Sequence, residues 1–345
     1  MQEACIISDE ARAVSAEVAD GRMLIEPADL PAALGWTLKP EGLCRADTCV
    51  VVADPTSLWV GQRLDLARVA GALGRLAVVD PGARIAAVAL GDGGRRQALD
   101  ALEAPDFVLP DLDGKDHRLG EWRGTKKLLV TFSSWCGCRY DLPGWQALHD
   151  ELEPEGFTTV AVAIDNAAAD VRPFTEGVTF PVLLDAQHLL TELFAISNVP
   201  TVLWIDEEDR IVRPNAVAFG TDTFRDFTGV AAAPHLDAVR RWVRHGEVPI
   251  EADEARRAIE DLSDDEILAR LHFRVGAEAL RRGDEATARR HLGRAAELAP
   301  YDWTVRRAAM PLVGQDPFGQ EFLDLYDEWR AAGSPYHGIA GDPSG

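Results

Sequence analysis

The chain is short of cysteine, with five in 345 residues. A framework of structural disulfides is thereby excluded, and two closely spaced cysteines in so large a chain point to redox or metal chemistry instead. Basic residues are also scarce: 35 Lys and Arg stand against 57 Asp and Glu, for a formal net charge of -22. Such a chain repels phosphate backbones and anionic lipid surfaces, so neither nucleic acid nor membrane is expected as a partner. The acidity is read as a solubility feature. No apolar run approaches membrane-spanning length. The opening "MQEACIISDEARA" has early acids and no basic start ahead of an apolar stretch, so no leader is read and a cytoplasmic location is expected. A dinucleotide fingerprint is missing as well, because "GDGGRR" lacks the third glycine at its required place and reads as an ordinary turn. What remains is an ordinary hydrophobic fraction of 47%, at a length that calls for two or three units.

Two of the few cysteines, Cys136 and Cys138, lie one glycine apart in "SSWCGCRYDLPGW". Around them the apolar runs "KKLLVTF", "FTTVAVAID", "TFPVLLD" and "PTVLWID" read as buried strands. Between the first two lies the helical pattern "LPGWQALHDELEPEG", and between the last two "AQHLLTELFAI". This alternation gives an α/β sheet with helices on its faces. Upstream, a hairpin is expected around Asp113-Gly114; downstream, "HLDAVRRWVRHGE" closes the unit. The first hundred residues read as a separate small α/β unit, and from Glu251 the composition turns to Ala, Arg, Glu and Leu at helical spacing. Cys136 falls after a strand and before a helix, where free backbone N–H groups and the helix dipole favour a thiolate. Cys138 is near enough to displace whatever Cys136 captures, which is the minimum equipment for thiol–disulfide exchange.

These residues resemble the thioredoxin-like fold in its TlpA/ResA redoxin branch, over roughly residues 104 to 247. "SSWCGCRYDLP" is similar to the family's active site, and "NVPTVLWIDEEDRIV" to its cis-proline loop. The resemblance implies an attacking thiolate at Cys136 and a resolving thiol at Cys138. It also implies a cis bond before Pro200, with Val199 offering backbone hydrogen bonds to a bound peptide and Trp135 shaping the substrate face. Pro143 would stand where the family kinks its helix. Departures accompany the match. One residue is missing between the cysteines, so their disulfide would close a ring of about eleven atoms in place of about fourteen, and strain is expected to make it easier to reduce. Gly137 is expected to tolerate the unusual backbone this needs. The buried carboxylate of thioredoxins is absent from Val130-Thr131-Phe132, which leaves Asp141 as the candidate proton carrier or as a solvated first-turn acid.

Competing readings stay open. A peroxidase would share the fold, but "KLLVTFSSWC" has neither the proline nor the threonine of a peroxiredoxin. A copper carrier would want a histidine, and His188 and His235, read as surface residues, are its candidates. Cys44 and Cys49 form a second pair that could be a redox relay, a metal half-site, or two packed or paired residues without chemistry. Cys5 is read as inert near a mobile end. "LHFRVGAEALRRGDEATARRHLGRAAELAP" resembles one tetratricopeptide repeat through Gly276, Gly283, Ala288, Leu292, Ala295 and Pro300. A lone repeat lacks the stacked neighbours of a peptide groove, so it reads as a helical cap, with partner docking as the alternative. The expected organisation is an α/β unit over 1–103, a thioredoxin-like unit over 104–248, a helical unit over 251–333 and a disordered tail over 334–345. The expected activity is thiol–disulfide exchange with a protein or small-molecule thiol or disulfide, with no cofactor and no metal.

Overall fold

A computed structural model describes residues 1–259 and 261–339. The chain forms two compact units, each assembled from two stretches of sequence. One takes Met1–Gly94 with Leu262–Pro300; the other takes Arg95–Asp261 with the chain from Tyr301 onward. The fold class is the expected one, α/β units followed from Asp264 to Ala331 by helices alone. The expectation of consecutive domains is corrected. Helical periodicity shows that a helix has an apolar face, but not which sheet that face covers.

In the first unit, Gln2–Ile7 lies inside a seven-stranded sheet. Its neighbours are Ala11–Ala19, antiparallel, and Ile85–Val88, parallel. Side chains alternate between the faces, as the two-residue period of a strand requires. Ala4, Ile6, Ala86 and Val88 join the core built with helices Leu30–Leu34 and Leu66–Ala72. The opposite face carries Cys5, Ile7, Ile85 and Ala87, all buried, and helix Asp264–Arg281 packs on its strands. Cys5 therefore sits mid-sheet and not near a mobile end; burial, then Glu278, pushes its thiol up to about 11. Helix Asp264–Arg281 starts at a capping box in which Ser263 Oγ accepts from the Glu266 N–H and Glu266 receives the Ser263 N–H. It pairs with Glu285–Leu298 at close range: a Cβ on Gly276 would stand 2.8 Å from Leu292 Cγ.

The second unit centres on a five-stranded sheet, in the order Val182–Leu184, Phe157–Ala163, Lys126–Phe132, Thr201–Ile205, Ile211–Ala216. The first three run parallel, and the last two each run antiparallel to the strand before them. Lys126–Phe132 is covered on both faces, which explains its continuous apolar run. On one face Leu129, Val160, Val162 and Leu203 pack with Leu190 and Phe194. On the other, Trp204 stacks on Trp242 of helix Ala232–His245, ring centroids 5.0 Å apart. The expected hairpin is present as Val108–Pro110 and Asp116–Arg118. "GDGGRR" is not a simple turn, since Asp92–Asp100 is helical.

After Pro300 the chain returns to this second unit. Helix Trp303–Leu312 docks where the Trp303 N–H donates to Ser197 O at 2.9 Å, and helix Gln320–Ala331 adds Leu325 to a cluster with Trp303 and Met310. The expected disordered tail is ordered as far as it is described. The Tyr336 and Thr201 hydroxyls are 3.0 Å apart, and the Ile339 N–H donates to Asn215 O. Residues 340–345 of that expectation lie outside the described residues. No helix among the described residues is long and apolar enough to cross a membrane.

Candidate active site

The end of strand Lys126–Phe132 opens into Ser133-Ser134-Trp135 and then Cys136. Cys136 keeps an extended backbone and caps the 3₁₀ turn Gly137–Asp141, which runs straight into helix Leu142–Leu152. Pro143 lies in that helix's first turn, where its missing N–H costs nothing, so it starts the helix and does not kink it. The Cys138 N–H donates to Cys136 Sγ at 3.3 Å, and the same sulfur lies 3.5 Å from Val199 O. Both cysteines are reduced, and only 4% and 3% of their surfaces are exposed.

Burial opposes a thiolate at Cys136, yet two hydrogen bonds and one charge outweigh it. The Cys138 thiol hydrogen bond, the positive charge of Arg307 and the Cys138 N–H together bring its pKa down to about 7. Cys138 moves the other way. Burial and its bond to the Cys136 sulfur hold it well above an ordinary thiol. The geometry thus separates an ionisable sulfur from a protonated one.

Asp141 is not a solvated surface acid, being 1% exposed. Its Oδ1 accepts from the Thr221 N–H and hydroxyl, each at 2.8 Å, while Oδ2 is buried without a geometrically satisfactory partner. Burial pushes its pKa up to about 6 against the Thr221 bonds. Its charge acts on both sulfurs. In the acid-free stretch Val130-Thr131-Phe132, Thr131 accepts from the Thr201 N–H at 3.1 Å and donates to Thr201 O at 3.2 Å. That pair ties the central strand to the residue after Pro200, and the Val199–Pro200 bond is cis. Val199 is already engaged here: its N–H donates to Asn198 Oδ1 at 2.8 Å, and its carbonyl faces Cys136.

The site is covered. A Cβ on Gly137 would stand 2.5 Å from the Phe224 ring, so this glycine is required by space and not by a left-handed backbone. Trp135, expected on a substrate face, is 6% exposed and lies beneath Arg307, whose guanidinium is 6.0 Å from its ring. Buried Asp165 accepts from the Ser134 N–H at 3.0 Å and from its hydroxyl, fixing the approach to Cys136. Thr221, Phe224, Asp165 and Arg307 were not found from sequence. The only signal was the recurrence of aspartate at strand ends, which includes Asp165.

Other candidates are placed elsewhere. Cys44 and Cys49, opposite one another on Gly42–Arg45 and Thr48–Val50 in the first unit, are joined as a disulfide, which removes the metal half-site reading. His188 and His235 are core residues, not surface ones. His188 Nε2 lies 3.2 Å from Ile164 O, and His235 packs between Trp145 and Trp204. Among the described residues, no three His, Cys, Asp or Glu side chains gather as a metal site.

The Redoxin family model matches residues 100–231. The thiol-disulfide oxidoreductase ResA of Geobacillus thermodenitrificans is 30% identical over 140 residues, covering 40% of this chain and 76% of that protein. ResA of Bacillus subtilis is 29% identical over 133 residues, covering 38% and 73%. Among solved structures, the thioredoxin domain of a thiol-disulfide oxidoreductase from Bacteroides vulgatus is 20% identical, covers 41% of this chain and 96% of its own, and has a TM-score of 0.35. By the extent and identity of the ResA match, the chain belongs to the redoxin family, alongside the ResA thiol-disulfide oxidoreductases.

Proposed function

We propose that this oxidoreductase exchanges disulfides through the Cys136-Gly137-Cys138 pair. The Cys136 thiolate attacks one sulfur of a substrate disulfide; the substrate S–S bond breaks, and the leaving thiolate takes up a proton. Cys138 then gives its proton to Asp141 and attacks Cys136 Sγ. The mixed disulfide breaks, the second substrate thiolate leaves, and a Cys136–Cys138 disulfide forms. Two electrons have passed from the pair to the substrate, and the reverse sequence oxidises a dithiol. A carboxyl poised near neutrality suits this proton transfer, because it can both accept and return the proton at working pH.

The observation that carries the reading is the Cys138 side chain and N–H converging on one sulfur. Neither the peroxidase nor the metal-carrier alternative has an observation in its favour that exchange lacks. The cytoplasmic location expected from sequence belongs to the same proposal, and fractionation of cells carrying the full chain checks it. Cys138→Ser should accumulate a partner linked covalently to Cys136 and released by dithiothreitol, while Cys136→Ser should abolish turnover of a disulfide substrate. A Cys138→Ser protein that captures nothing from any thiol or disulfide pool would overturn the proposal. Equilibration with glutathione should further place the tight couple above the roughly -270 mV of thioredoxin.

A further inference from the structure

We propose that Arg307, from the helix after residue 300, is a positioning residue of the exchange reaction, its buried guanidinium held over Trp135, the residue before Cys136, where its charge favours the Cys136 thiolate. The inference deepens the exchange reading and rests on it.

Arg307 is a buried charge without a counter-charge among the described residues: it is 8% exposed, and no carboxylate among them pairs with it. Its hydrogen bonds go to one neutral acceptor, Pro317 O, from Nε at 3.2 Å and Nη2 at 3.0 Å. Three aromatic rings stand near it: Phe322 at 4.0 Å, Phe318 at 5.3 Å and Trp135 at 6.0 Å. Ring faces and a carbonyl partly offset a buried cation, but an anion offsets it far better.

Helix geometry brings that anion within reach. The Trp303 N–H bonds Ser197 O, and Thr304 Oγ1 lies 3.5 Å from Ile196 O, so this end of the helix is fixed on the run leading to Val199–Pro200. Arg307 falls three and four residues later, on the same helical face. That face ends over Trp135, whose chain neighbour is Cys136. The titratable and charged groups around this sulfur are Cys138, Arg139 and Asp141 from its own turn, and Arg307 from the helix opposite. Arg139 donates to Ser134 O, lies on the Tyr140 and Phe174 rings, and is only half-buried, so water screens its charge more than that of Arg307. Asp141 and Cys138 bring no positive charge. Arg307 is thus the cation available to the Cys136 thiolate, and it comes from beyond residues 100–231.

The test measures the pH profile of Cys136 alkylation in the full-length protein, with the modified residue located by tandem mass spectrometry. Arg307→Gln should raise the midpoint by about one unit and slow alkylation at pH 7 about five- to tenfold. Arg307→Lys, which keeps the charge, should restore most of the profile. A role in packing alone would lower the melting temperature of Arg307→Gln and leave the midpoint where it is, which would overturn the proposal. If Arg307→Gln does not fold, Arg307→Lys decides: a midpoint nearer wild type than a free cysteine supports the proposal, and one nearer a free cysteine sinks it. A chain whose midpoint moves with Arg307→Gln yet which never exchanges disulfides would overturn the exchange reading and, with it, the place of Arg307 in that reaction, leaving only the effect of its charge on the Cys136 sulfur.

Discussion

Two side chains near the helix start, Cys136 and Asp141, titrate close to neutrality for different reasons, and their pH dependences can be separated. Asp141 has a folded pKa of about 6 against an ordinary 3.8. The folded state therefore holds this proton more tightly than the unfolded one. Stability should be greatest below about pH 4 and should fall as pH rises through 4 to 6, by an order of 1–3 kcal/mol. Asn in its place can still accept both Thr221 hydrogen bonds and carries no charge to bury. Urea melts of Asp141→Asn should lose the slope between pH 4 and 6 and show a gain of about 1–3 kcal/mol at pH 7. Turnover should move the opposite way, falling about a hundredfold at pH 7 with little change in KM, because Cys138 loses its proton acceptor. A variant that is stabilised and equally active would exclude Asp141 from proton transfer. Cys136, Cys138 and Asp141 were legible in the sequence because they share one short motif. Thr221, which sets the orientation of Asp141, comes from 80 residues further along the chain, and no local pattern marks such a partner.

Between elements, one close contact at the site is Phe224 on Gly137. Adding one methyl there forces an aromatic ring and the turn after Cys136 apart, and overpacking of this kind costs about 1–3 kcal/mol. Gly137→Ala should therefore destabilise the protein by that amount in a denaturant melt, and Phe224→Ala in the same chain should recover most of the loss. Non-additivity is the signature of two groups competing for one space. Equal losses in the presence and absence of the ring would show that Gly137 matters through its backbone instead. Phe224→Ala alone should also speed Cys136 alkylation at fixed pH by exposing the sulfur. The strands around this site, such as Lys126–Phe132 and Thr201–Ile205, were readable because strands buried on both faces are nearly continuous in apolar residues. Ala11–Ala19 was not readable: it alternates Ala and Val with charged or polar residues, and its two-residue period is weak without larger side chains. Phe224 itself lies in a stretch with no regular period, so its place over the cysteines follows from the fold alone.

Across the whole molecule, the consequence with most reach is that sequence order and packing order differ. The chain leaves the second unit after Asp261, contributes a helical pair to the first, and returns after Pro300. A segment that sequence comparison leaves outside the redoxin match is thereby a structural part of the redoxin unit. Its attachment is extensive. The Trp303 N–H donates to Ser197 O, Arg307 lies over Trp135, Phe227 meets Tyr326 with ring centroids 4.8 Å apart, and Ile339 bridges Ala216 at the sheet edge. Covalent continuity at the return point should then be dispensable once the protein is folded. Tyr301 is partly exposed, so a protease site inserted between Pro300 and Tyr301 is open to cleavage in the native state. The nicked protein should run as one species in gel filtration, separate into two fragments only in denaturant, and keep the Cys136 alkylation midpoint of the intact chain. Loss of the smaller fragment without denaturant would mean that the segment merely rests on the unit, and the midpoint should then rise toward that of an ordinary thiol as the Arg307 charge departs.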